Sequence, residues 1–110
     1  MAILSHLTAE EASALEGLSH GLRERFSSAI HGIYLYGSKA RGDFRPESDI
    51  DVLVIADQDL RDDVGWAASL IASEVITEGG PYLSVFVSTP QHWALDTPFL
   101  LNVRKDAVAL

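Results

Sequence analysis

The order of hydrophobic patterns along the chain predicts an α/β (α+β) domain, a small mixed β-sheet packed with helices. Three observations carry this. Two segments repeat their apolar residues at helical spacing, three short runs rich in β-branched and aromatic residues have strand length, and Gly or Pro separates most of them.

Thr8 followed three residues later by Glu11 forms a capping box, and Ala12, Leu15, Leu18, Leu22, Phe26 and Ile30 then recur with a helical period. A first helix is expected over residues 8–28. Gly17 and Gly21 each weaken it by about 1 kcal/mol relative to Ala, so packing must hold it. Residues 32–36 read as a short buried strand that stops at Gly37. One helical turn over 39–42 and a polar loop over 43–48, containing Pro46, lead to an almost continuous apolar strand over 49–56 with two acids near its start. Asp59, Asp62 and Asp63 stand where the positive end of a helix dipole belongs, ahead of Val64, Ala67, Ala68, Ile71 and Val75. This second long helix is ended by Gly79, Gly80 and Pro81. Residues 82–88 form the third strand. Thr89-Pro90 and Thr97-Pro98 each place a cap before a proline at the first helical position, predicting two short helices, with 107–110 extended.

At 110 residues the chain is expected to be one domain over 1–110. Eight Lys and Arg against sixteen Asp and Glu leave a net charge of −8, which repels nucleic-acid phosphates and anionic membranes. Non-specific nucleic-acid binding is therefore not expected, and any phosphate site must be local. The absence of cysteine excludes disulfides, thiolate catalysis and the common structural zinc sites. No apolar stretch approaches the roughly 18 residues of a membrane span, and no basic segment followed by an apolar one opens the chain, so the expected location is cytoplasmic.

The chemistry concentrates in Gly37-Ser38-Lys39-Ala40-Arg41-Gly42 and Ser48-Asp49-Ile50-Asp51-Val52. Side chains two apart on a strand share a face, so Asp49 and Asp51 project together. Adjacent carboxylates raise each other's pKa unless a cation neutralises them, and Mg2+ accepts one or two carboxylates while keeping sites for water and phosphate. Gly37 leaves the backbone open to a ligand, and Ser38 begins a helical turn whose amides and hydroxyl suit a polyphosphate. Three of the eight basic residues, Lys39, Arg41 and Arg45, lie close to this turn. Taken without context, Asp49 and Asp51 could be strand-start acids, and the bases solvated loop charges pairing with Asp43 and Glu47. The upstream Gly-Ser favours the metal reading. Arg41-Gly42-Asp43 also spells an adhesion tripeptide, which its place inside this motif makes coincidental. His6, His20, His31 and His92 have no ligand spacing, and Trp66 and Trp93 read as core or rim packing, with Trp93 and Phe99 as a subunit-contact alternative.

Tyr36-Gly37-Ser38, a spacer of ten residues, and Asp49-Ile50-Asp51-Val52 together resemble the minimal nucleotidyltransferases of the DNA polymerase beta superfamily. Arg41-Gly42 and Ser48 are similar to the bacterial small-chain branch. The resemblance implies that Gly37 and Ser38, with Lys39 and Arg41, hold the triphosphate of a nucleotide, that Asp49 and Asp51 hold Mg2+, and that a nucleotidyl group, AMP from ATP, passes to a hydroxyl acceptor. Small chains of this kind are similar to the MNT antitoxins, which work with a helical HEPN partner toxin and can adenylylate it on tyrosine. Such a partner protein is expected here, and a homo-oligomer is a further expectation. Active members of the family carry a third acid on the next strand. Here that segment, Tyr82-Leu83-Ser84-Val85-Phe86-Val87, has none; Ser84 is the expected occupant of the position and Glu78 the alternative source of an acid. The competing expectation is therefore a catalytically weak or inactive binding module, acting as antitoxin or nucleotide sensor.

Overall fold

A computed structural model describes residues 7–42 and 49–110. Helix α1 spans Ala9–Phe26. Its capping box is reciprocal: Thr8 Oγ1 accepts from the Glu11 amide at 3.1 Å, and Glu11 Oε1 accepts from the Thr8 amide at 2.9 Å. The helix stops two residues short of the expected end because Ser27 takes φ 48°, and a 3-10 turn over Ser27–Ala29 redirects the chain. Strand β1 (Ile30–Tyr36) accordingly begins earlier than the apolar run suggests, with a register irregularity between Ile30 and Gly32. The one-turn helix α2 (Ser38–Arg41) follows, then β2 (Ile50–Ala56), a 3-10 turn at Gln58–Leu60, α3 (Arg61–Thr77), β3 (Leu83–Ser88), α4 (Pro90–Trp93), α5 (Pro98–Asp106) and β4 (Val108–Ala109).

The sheet is mixed, in the order β3-β2-β1-β4. Strands β1 and β2 pair antiparallel, as do β1 and β4, whereas β2 and β3 are parallel and joined through α3, the crossover that a parallel pair requires. Strand β2 is central and covered on both sides, which explains its unbroken apolar run: Val52, Leu53, Val54, Ile55 and Ala56 are all buried. On one face Ile33, Leu35, Val52 and Val54 meet Leu15, Leu18 and Leu22 of α1 and Val64, Ala67 and Ala68 of α3. Each fully buried aliphatic side chain there contributes roughly 1.5–3 kcal/mol, which offsets the two glycines of α1. On the other face Leu53 and Ile55 pack with Val103, Trp93 and Ala107 from the C-terminal segment.

Both Thr-Pro starts form as expected. Thr89 and Thr97 accept hydrogen bonds from the amides of His92 and Leu100, each at 3.2 Å, with the proline in the first turn. The expected extended tail becomes β4, and the Leu110 amide donates to the Ile33 carbonyl at 2.8 Å. Trp93 packs as expected, stacked on Tyr34 with centroids 5.3 Å apart. Trp66 does not: it lies on the outer side of α3, 68% exposed, because Val64, Ala67 and Ala68 take the inward positions. Among the described residues no helix is long and apolar enough to cross a membrane.

Candidate functional site

Strand β1 ends at Tyr36, and Gly37 then takes φ 77° and ψ −157°, a conformation for which a residue without Cβ is suited. The Gly37 carbonyl accepts from the amides of Ala40 and Arg41, both at 3.1 Å, which closes α2; Gly42, with φ 89°, ends it. Across the sheet Tyr36 pairs with Asp51, and Asp51 with Ser84, so one row crosses β1, β2 and β3. The Asp51 carboxylate lies directly on the glycine turn. A Cβ at Gly37 would stand 2.5 Å from Asp51 Oδ2.

Burial pushes the half-buried Asp51 carboxyl above its ordinary range, the Asp49 carboxylate beside it pushes further in the same direction, and the Arg41 guanidinium opposes both. Burial and then the Asp51 charge raise the Tyr36 phenol. Gly37, Ser38, Arg41, Asp49 and Asp51 are thus gathered at one end of the sheet. Arg41 Nη1 also donates to Asp106 Oδ2 at 2.8 Å, which ties α2 to the end of α5.

Lys39, expected with the phosphate-binding group, is placed differently. Its side chain is 2% exposed, and Nζ donates to Glu11 Oε2 at 2.7 Å. A lone buried ammonium is costly, and at the capped end of α1 it is the Glu11 carboxylate that compensates it. Burial by itself would raise the Glu11 carboxyl, but the Lys39 ammonium and the Thr8 amide outweigh this and hold it below its ordinary value. Lys39 therefore fastens α2 to α1. Arg45 and Ser48 lie outside the described residues.

In this row Ser84, the residue of β3 in register with Asp51, brings a hydroxyl and no carboxylate. Glu78 lines a groove of about 680 Å³ between α1 and α3, together with Glu10 and Glu74. That groove belongs to the face holding Val52 and Val54, opposite to the face of Asp51. Among the described residues no group of three or more His, Cys, Asp or Glu could hold a metal. The residues present nevertheless have the donor chemistry of a hard-dication site: two crowded carboxylates, one of them made more basic by burial and by its neighbour.

Sequence reasoning missed several neighbours of the site. Asp106 gives no local signal, since its pairing with Arg41 spans 65 positions. Phe99 sits edge-on to Tyr36 at 6.2 Å and to Phe86 at 5.9 Å, making an aromatic wall on the face of Asp51. Residues this far apart in the chain could be joined only by the strand register.

Comparison with known proteins agrees with this fold. A chain of Methanocaldococcus jannaschii, provisionally named a protein adenylyltransferase, is 41% identical over 49 residues, covering 44% of this chain and 49% of that one. The chain thus spans about half the length of the curated relative it matches. Two solved structures share the fold. One is described as a toxin–antitoxin with AMP-PNP (TM-score 0.50, 20% identity, 86% of this chain and 70% of that one), and the other, provisionally, as a nucleotidyltransferase from Sulfolobus solfataricus (TM-score 0.50, 23% identity, 88% and 85%). The family model for the nucleotidyltransferase domain matches residues 15–93, a span that contains the glycine turn and both aspartates. The chain belongs to the nucleotidyltransferase domain family.

Proposed function

We propose that the chain is an Mg2+-dependent nucleotidyltransferase that transfers AMP from ATP to a hydroxyl group of a partner protein. The observation that carries this reading is the Asp51 carboxylate, crowded by Asp49, lying on the glycine turn that opens α2. Gly37 leaves the backbone open to a triphosphate, the Ser38 hydroxyl donates to a phosphate oxygen, and the Arg41 guanidinium faces the same charge. Asp49 and Asp51 would hold the cation, which supplies charge neutralisation for the polyphosphate. The acceptor oxygen bonds to the α-phosphorus, the bond from that phosphorus to the bridging oxygen breaks, and pyrophosphate leaves; the hydroxyl proton passes to a carboxylate or to water. The name of the archaeal relative supports a protein acceptor, and the toxin–antitoxin neighbour supports a partner chain, for which a helical HEPN-type toxin is our choice. A cysteine-free chain suits the reducing cytoplasm.

Ser84 favours a second reading. A hydroxyl in register with Asp51 is a poor ligand or base, so the chain would bind nucleotide and partner without turnover. Incubation with labelled ATP, Mg2+ and the partner separates the two. Transfer that is lost in Asp49→Asn establishes the enzyme. Neutralisation of the partner that persists without transfer, and in the Asp49→Asn, Asp51→Asn variant, establishes the binder.

A further inference from the structure

Strand β3 ends the sheet, and among the described residues nothing pairs with its outer edge. The Ile50 amide bonds to the Tyr82 carbonyl at 3.1 Å, and in a parallel ladder the amide and carbonyl of one residue face the same neighbour. The backbone groups of Ser84, Phe86 and Ser88 therefore face β2, while those of Leu83, Val85 and Val87 face outward. Arg61 Nε, which donates to the Val87 carbonyl at 3.3 Å from outside, fits this alternation. Exposed edges are ordinarily guarded by charge, proline or brevity. The opposite edge is guarded by the two-residue β4. On edge β3 the Arg61 guanidinium covers only the Val87 carbonyl, and from 79 to 95 the chain itself carries no Asp, Glu, Lys or Arg.

Large apolar side chains flank this edge on both faces of the sheet. On the α3 face a groove of about 470 Å³ is lined by Gly65, Trp66, Ser69, Val85 and Val87, with Arg61 and Asp62 as its charged residues. Trp66 is 68% exposed there and Leu70 is exposed beside it. On the other face Phe86 and Phe99 are exposed. A tryptophan so placed, next to an unpaired strand, is the usual anchor of an interface.

We propose that this edge pairs antiparallel with the same edge of a second copy, on a two-fold axis at Val85. The outward set is symmetric about that residue, so Val85 exchanges both hydrogen bonds with Val85 of the second copy, and Leu83 does so with Val87. The Val87 carbonyl has a second lone pair and keeps Arg61. A two-fold perpendicular to the sheet leaves both α3 helices on one face, where Trp66 and Leu70 of the two copies close over the seam. An uncharged strand lets two chains of net charge −8 meet without like charges at the contact. On the other face Ser84 then stands opposite Phe86 of the second copy. That ring enters the row containing Asp51, so each site borrows an aromatic wall from its neighbour.

Sedimentation of the full chain, together with single-cysteine crosslinking, tests the pairing. Wild type is expected to sediment at twice the 12.0 kDa chain mass at micromolar concentration. Directly opposed hydrogen-bonded residues have Cα atoms about 5.5 Å apart, within disulfide reach, so Val85→Cys should link covalently on mild oxidation in this cysteine-free chain. Val108→Cys on the far edge should not. Trp66→Lys, a change at the surface, should weaken association at least tenfold with unchanged far-UV circular dichroism. A monomer at submillimolar concentration overturns the proposal, and so does a dimer that Val85→Cys fails to link.

Discussion

Replacing Gly37 by alanine tests the junction of turn and carboxylate on which the site is built. Two costs add. Holding an L residue at φ 77° and ψ −157° costs about 1–3 kcal/mol. The new methyl would also stand 2.5 Å from Asp51 Oδ2, where relaxed carbon–oxygen contacts are about 3.3–3.6 Å, so the carboxylate must retreat by roughly 1 Å or the turn must open. The sum is about 2–4 kcal/mol, which lowers the melting temperature of a domain this size by roughly 10–25 °C. Urea denaturation followed by circular dichroism measures it. Making the same change in an Asp51→Ala background separates the parts: the collision disappears and the backbone strain stays, so the second cost should be smaller by about 1 kcal/mol or more. A Gly37→Ala penalty below about 0.5 kcal/mol, or one identical in both backgrounds, would refute the reasoning.

Glu11→Gln removes the carboxylate to which the buried Lys39 ammonium donates and should destabilise the fold by about 3 kcal/mol in denaturant titration. Since the folded Glu11 carboxyl lies below its ordinary 4.5, its contribution is present above that pH and is lost as pH falls through the folded value; the variant should have a flatter acid limb. Arg41→Ala removes a partly exposed pair with Asp106 worth about 0.5–1 kcal/mol, so melting should change little while Mg-ATP affinity, by calorimetry, falls about tenfold. Asp51→Asn removes a half-buried charge that faces Asp49, so in the absence of Mg2+ its melting temperature should rise above wild type. Added Mg2+ should then raise the melting temperature of wild type and leave that of Asp51→Asn unchanged.

The elements were legible wherever one local force decides them. Thr8 with Glu11, Thr89-Pro90 and Thr97-Pro98 mark helix starts because capping acts within four residues, and the apolar run of β2 marks a strand buried on both faces. The glycine turn and the two aspartates were legible for the same reason, since each lies within a few positions of its structural cause. Lys39 was not. Polarity argues that a lysine stays in solvent, and what overrides this is a carboxylate 28 positions away on α1. Trp66 misled in the opposite sense, because its size suggests packing while the inward face of α3 is filled by Val64 and alanines. The Tyr36, Asp51, Ser84 row and the Phe99 wall depend on strand order, which no local pattern encodes.

Isothermal titration of the full chain with ATP in excess Mg2+, repeated on Asp49→Asn, Asp51→Asn, measures whether the two aspartates hold the metal-bound nucleotide. Saturable binding to wild type and loss of affinity by about 100-fold or more in the double variant are expected, with both proteins folded. Equal affinity in the two proteins, or no heat of binding to wild type at millimolar nucleotide, would contradict this.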